Sequence, residues 1–137
     1  MIAAVVDTNV FVSGLLNDSG APAKLILRWL KGQFEIFVSE QTMQEHEYVL
    51  HHIAGIKPEK AAKLLDELQS SANRVAIPEQ LKVCKDPDDD KFLETAVIAK
   101  ANFLVTKNTK HFPAKTYAGV RIVTVSKFLT ELEKQFP

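Results

Sequence analysis

A handful of oxygen-bearing side chains make chemistry conceivable here: Asp7, Glu45, the run Asp86, Asp88, Asp89 and Asp90, and the pair Thr106 and Asn108. Asp7 directly follows the apolar run Ile2 to Val6. Such a run is expected of a strand covered on both faces. A carboxylate placed next sits at the strand's carboxyl end, where open α/β sheets bind ligands. Thr8 and Asn9 are expected to close that turn with their side chains. Alone, Asp7 reads better as a loop cap. Glu45, one helical turn before Val49, sits at the edge of an apolar stripe, with Glu47 beside it as the solvated control. The acidic run complements a helix N-terminus, and that accounts well for one or two of its members. Four close carboxylates repel, and a bound cation relieves that repulsion. A helical wheel puts Asp86, Asp89 and Asp90 on the side of Leu93 and Val97. It does not choose between Asp89 and Asp90 for the inward position. Thr106 and Asn108 follow the run Phe103 to Val105 and repeat the strand-end pattern of Asp7. Together, two strand ends and two helices are expected to set Asp7, Glu45, Asp90 and Asn108 around one cleft. Oxygen ligands without His or Cys suit Mg²⁺ or Mn²⁺.

These positions require an alternating scaffold. Strands are expected at residues 2–6, 34–38, 74–77, 103–106 and 120–125. A short helix or loop covers 10–16, and Asn17 to Gly20 form a turn. Pro22 opens a helix with Ala23, Ile26, Leu27 and Leu30 as its apolar stripe. Ser39 caps a helix burying Met43, Val49, Leu50 and Ile53. Pro58 opens a helix with Ala61, Leu64, Leu65, Leu68 and Ala72 on one face. Asp86 caps a helix starting at Pro87, with Leu93, Ala96, Val97 and Lys100 on one face. Ser126 caps the last helix, which carries Phe128, Leu129, Leu132 and Phe136. Strands alternating with helices imply βαβ units, a parallel sheet and helices on both faces.

The chain has 137 residues, a length expected of one domain spanning 1–137. Its formal net charge is zero, so any nucleic-acid binding must come from a local patch. Lys24, Arg28 and Lys31 share a helix face and read as solvated. Lys107, Lys110, His111 and Lys115 adjoin the strand end at Thr106 and are the better phosphate contacts. One cysteine, Cys84, excludes an internal disulfide and points to a reducing, cytoplasmic setting. The N-terminus lacks the pattern of a signal peptide. Neither Ser39 nor Cys84 has an evident His partner, which argues against covalent catalysis. The four histidines form no zinc pattern, and His46 reads as packed or hydrogen-bonded structure. The apolar residues from Val10 to Leu16 and Trp29 exceed what one small core covers, so a homodimer and a further partner are expected.

Four segments in order resemble the PIN-domain family: Val-Val-Asp-Thr-Asn-Val-Phe, Val-Ser-Glu-Gln-Thr-Met-Gln-Glu, Asp-Pro-Asp-Asp-Asp-Lys-Phe-Leu-Glu-Thr-Ala, and Ala-Asn-Phe-Leu-Val-Thr-Lys-Asn. Within it, the chain looks like the toxin components of VapBC-type toxin–antitoxin pairs. The resemblance implies a three-layer α/β/α domain with a central parallel sheet and a metal-dependent ribonuclease acting with Mg²⁺ or Mn²⁺. It implies Asp7, Glu45 and Asp90 as metal-site acids, with Thr106 and residue 108 nearby. Asn9, Ser39 and Asp89 join Thr106 as supporting residues. It also implies RNA as substrate and an antitoxin protein as partner. Many relatives carry Asp where this chain has Asn108, a difference that bears on a second metal. Two rivals stand beside this reading. An aspartyl-nucleophile phosphatase wants an acid two residues after Asp7, where this chain has Asn9. A non-catalytic binding protein that kept the fold is favoured by Asn108.

Overall fold

The structure is a computed structural model and describes residues 1–137. Its elements run β1 (Ala3–Val6), α1 (Thr8–Leu16), α2 (Ala21–Leu30), β2 (Glu35–Val38), α3 (Glu40–His52), α4 (Pro58–Ser71) and β3 (Asn73–Arg74). Then come α5 (Asp90–Ala99), β4 (Phe103–Val105), β5 (Thr116–Tyr117), β6 (Val120–Val123) and α6 (Val125–Glu133). Single 3₁₀ turns occupy Pro87–Asp89 and Thr109–His111.

The six strands form one sheet in the order β3-β2-β1-β4-β6-β5. All neighbours are parallel except β5, which returns antiparallel on β6. β1 and β4 lie centrally, paired Val5 to Leu104 and Val6 to Val105. Parallel neighbours bring the carboxyl ends of β1, β4 and β6 to one edge, and Asp7 and Thr106 with them.

Alternation along the strands splits the apolar side chains into two layers. Ala4, Val6, Ile36, Val38, Phe103 and Val105 join a core of 23 buried residues with α1, α2, α3, α4 and α6. Val5, Leu104 and Ile122 face the other way, into a core of 9 with Phe92, Leu93 and Ala96 of α5. The result is the three-layer α/β/α architecture with a mostly parallel sheet. Gly14 lets α1 and α2 close: a Cβ there would stand 2.6 Å from Ile26 Cδ1. No helix is long and apolar enough to cross a membrane.

Several expected stripes are rotated. α2 buries Leu25, Ile26 and Trp29, while Leu27 and Leu30 are half exposed. The turn of α2 is set by its contact with α1 and α6, and Leu27 and Leu30 end up on the outer face. α3 buries Thr42, Met43, His46 and Leu50, and Ile53 lies beyond the helix, exposed. Ser39 caps α3 in a reciprocal box with Thr42, because each side chain bonds the other's backbone N–H. α6 is capped by Thr124 rather than Ser126, whose backbone is already helical. The strand expected at 74–77 shrinks to Asn73–Arg74. The hairpin arm β5 carries no apolar alternation and was not foreseeable.

Candidate active site

Asp7 is the N-cap of α1 and the last residue before β1 gives way to helix. Its backbone N–H donates to the Val105 carbonyl at 2.9 Å, which fixes it against the end of β4. Thr106 Oγ1 donates to Asp7 Oδ2 at 2.9 Å. The Asn108 backbone N–H in turn donates to Thr106 Oγ1 at 3.1 Å. Burial pushes the Asp7 carboxyl above its ordinary range, and the Thr106 hydrogen bond works against that rise. The backbone N–H of Asn9 also lowers it, while the Glu45 charge raises it. Neither Thr8 nor Asn9 closes the turn with its side chain: Asn9 is exposed and the Thr8 hydroxyl turns to α3.

Glu45 arrives from α3 as its stripe position requires. Thr8 Oγ1 donates to Glu45 Oε2 at 2.9 Å and lies 2.8 Å from His46 Nδ1. A hydroxyl has one proton to give. All three groups are satisfied when His46 carries its proton on Nδ1, donates to Thr8, and Thr8 donates to Glu45. His46 is fully buried, edge-on to Phe11 at 5.0 Å, and burial lowers its pKa to about 3. It is a neutral, packed histidine, as its sequence position suggested. The other oxygen of Glu45 meets Lys91 Nζ at 2.7 Å. Glu45 therefore has a cationic partner.

The acidic run divides. Asp86 Oδ1 accepts the Asp88 backbone N–H at 2.9 Å and starts the 3₁₀ turn. Asp90 Oδ1 accepts backbone N–H groups from Val83 at 3.0 Å and Cys84 at 2.9 Å. That side chain ties the segment before the turn to α5, on the side of a cavity it shares with Cys84 and Glu94. Asp89 faces the acids instead. Its Oδ2 is buried and has no hydrogen-bond partner. It lies 3.6 Å from His111 Nδ1, a longer contact than a hydrogen bond. Burial first, then the charges of Asp7, Asp86 and Glu45, push Asp89 up to about 6, against the pull of His111. The helical wheel could not choose between Asp89 and Asp90 because residues 87–89 are 3₁₀ and α5 begins only at Asp90. Burial first, then Asp90, Asp89 and Asp86, push the Cys84 thiol up to about 12, which favours its protonated form.

Ser39 is fully buried and takes a hydrogen bond from Thr95 Oγ1 at 2.9 Å, joining α3 to α5. Asn108 is exposed; its backbone N–H is engaged by Thr106 and its carbonyl accepts the His111 N–H at 3.0 Å, while its side chain caps nothing. Lys107 Nζ is 2.8 Å from Ser13 Oγ on α1. Lys110 and Lys115 line a cavity of about 530 Å³ with Arg121 and Lys127, alongside β6. The residue the sequence reading missed is Lys91; its place one step into α5, beside Asp90, was the available signal.

No point in the structure brings three acid or histidine side chains together as direct ligands. Asp7, Glu45 and Asp89 nevertheless fit a hard dication that keeps much of its water. The partnerless Asp89 Oδ2 is the observation that supports the fit.

A family model described as PIN domain matches residues 3–110. The uncharacterized protein MJ1680 of Methanocaldococcus jannaschii is 24% identical over 145 residues, covering 97% of this chain and 93% of that protein. A chain in the crystal structure of VapBC2 from Rickettsia felis, bound to a DNA fragment from their promoter, superposes with a TM-score of 0.57. It is 17% identical and the match covers 90% of this chain and 98% of that one, a likeness of fold.

Proposed function

The chain belongs to the PIN-domain family, and from that premise we propose that it is a metal-dependent ribonuclease, the toxin of a toxin–antitoxin pair. PIN domains are generally nucleases. The observation that carries the reading is the buried, unpartnered Asp89 oxygen beside Asp7 and Glu45 at the carboxyl edge of the sheet. In this reading Asp7, Glu45 and Asp89 hold Mg²⁺ or Mn²⁺, partly through water. Asp90 has a structural part, holding Val83 and Cys84. A dication held by Asp7, Glu45 and Asp89 would supply Lewis acidity to a water and to phosphate oxygens. Thr106 keeps Asp7 aimed, and the His46–Thr8 relay keeps Glu45 aimed. The reaction adds water across one P–O bond: the water oxygen bonds phosphorus, and the released ribose oxygen takes a proton. Lys110 and Lys115 guide the RNA phosphates.

The antitoxin is proposed to cover the groove between α1, α2 and α4, where Leu27 and Leu30 are about half exposed. The VapBC2 neighbour is itself a complex, which supports a partner of this kind. Val10, Phe11 and Trp29, expected to need a partner, lie in the chain's own core. A homodimer, a cytoplasmic setting and a single domain over 1–137 belong to the same proposal.

The test is cleavage of a labelled single-stranded RNA panel with Mg²⁺, Mn²⁺ or chelator. Cleavage should need metal, and Asp7→Asn or Glu45→Gln should lower it about a hundredfold or more. Phosphate release from a small phosphomonoester, without RNA cleavage, would establish the phosphatase instead. Neither activity, with antitoxin binding intact, would leave a binding protein.

A further inference from the structure

Lys91 is the site residue with no part in the chemistry so far. Its Nζ lies 2.7 Å from Glu45 Oε1 and 2.9 Å from the Asp88 carbonyl oxygen. Its side chain is 22% exposed and that of Glu45 26%. It stands in the first turn of α5, where a helix disfavours cations, and the acids around it outweigh that cost. As a stabilising device the pair is minor, since partly exposed ion pairs contribute about 0–1 kcal/mol.

The charges at the site explain it better. Asp7, Glu45 and Asp89 provide acids for one dication. Asn108, exposed and neutral, adds no fourth charge. Two-metal phosphoryl-transfer sites use the second ion to neutralise the phosphate and the leaving oxygen. A site that holds a single ion needs that positive charge from elsewhere. We infer that Lys91 supplies it, contacting the phosphate under attack in place of a second metal ion. The ammonium is already within a hydrogen bond of Glu45, so it is within reach of whatever Glu45 helps to hold. The Asp88 carbonyl keeps it there when Glu45 turns its oxygen to the ion. Lys91 would thus compete with the metal for Glu45 at rest and cooperate with it during cleavage.

This rests on the nuclease reading above, and one pair of measurements separates the two. Lys91→Met keeps the side-chain length and removes the charge. Calorimetry with Mn²⁺ should show binding about tenfold tighter, as expected for removing a like charge a few ångströms away. Cleavage at saturating Mn²⁺ should nonetheless fall about a hundredfold, the usual cost of one charge-stabilising donor. Lys91→Arg should keep cleavage within about tenfold of the parent, and thermal melts should show both variants folded. A counter-ion for Glu45 alone gives tighter Mn²⁺ binding with full cleavage, and that result overturns the inference. Weaker Mn²⁺ binding in Lys91→Met also overturns it, because Lys91 would then only position Glu45. A parent protein that binds Mn²⁺ and cleaves no RNA overturns the nuclease reading and this one with it.

Discussion

Replacing Asp89 by Asn should stabilise the metal-free protein at neutral pH, although it removes an acid proposed to hold the ion. The Asp89 carboxyl is pushed from 3.8 to about 6 by burial and by Asp7, Asp86 and Glu45. The folded protein therefore holds this proton more tightly than the unfolded chain. Its contribution to stability falls as pH rises from about 4 through 6, and the full penalty is present above that window. A rise of about two units corresponds nominally to about 3 kcal/mol. Solvent reaches the side chain, which is 17% exposed and beside His111, so screening leaves about half of that. The Asp charge also favours the N-terminus of α5, and Asn gives up about 0.5 kcal/mol there. The net gain is about 1 kcal/mol, or about 3 °C in melting temperature for a chain of this size. The assay is thermal unfolding of both proteins in chelator at pH 7.5 and pH 4. The gain should be present at pH 7.5 and absent at pH 4, where the folded parent is protonated. With Mn²⁺ the order should reverse, because only the parent gains fully from binding. A variant less stable than the parent at pH 7.5, or equally stabilised at both pH values, refutes this account of the acid cluster.

Asp90→Ala should cost about 1–3 kcal/mol in denaturant unfolding, because Val83 and Cys84 lose their acceptor. Its Mn²⁺ affinity by calorimetry should stay within about threefold of the parent, while Asp89→Asn loses at least about tenfold; the opposite ranking would return the metal role to Asp90. His46, with its pKa lowered to about 3 by burial, should make stability fall as pH drops below about 6.5, by up to about 1.4 kcal/mol per unit. Asp89 acts with the opposite sign over part of that window, so the slope is best read in the Asp89→Asn background, and His46→Gln should flatten it. Asn108→Asp should tighten Mn²⁺ binding several-fold by adding a carboxylate beside Thr106, and unchanged calorimetric affinity would place Asn108 outside the ion's reach.

The sheet and its order of elements were readable because fully buried strands leave unbroken apolar runs, as in Val5 and Val6 or Leu104 and Val105. Asp7, Thr106 and Ser39 were readable for a related reason, because each follows or caps a strongly patterned element, and the packed His46 lies within α3 on its buried side. The choice between Asp89 and Asp90 was not readable. It turns on where a 3₁₀ turn hands over to α5, and on a bond from Asp90 to residues six and seven positions back. Periodicity carries neither. The outward Leu27 and Leu30 and the buried Trp29 were misassigned because the turn of α2 is set by contacts with α1 and with α6, and α6 lies at the far end of the chain. Lys91 was passed over because its partner, Glu45, is on another helix.

The two unequal cores have a consequence for motion. The sheet face under α5 rests on 9 buried residues, against 23 on the other side. Before α5 runs a stretch from Val75 to Asp86 without helix or strand, stitched down by the Asp90 oxygen and by Glu94 Oε2, which accepts the Gln80 N–H at 2.9 Å. Local opening starts where apolar cover is thinnest and backbone bonds fewest. Amide exchange should therefore release α5 and this stretch ahead of β1, β4 and α4. Such an excursion carries Asp89 away from Asp7 while most of the molecule stays folded. An ion bridging those acids would close this door, so protection of α5 amides should rise with Mn²⁺ more than protection anywhere else in the chain.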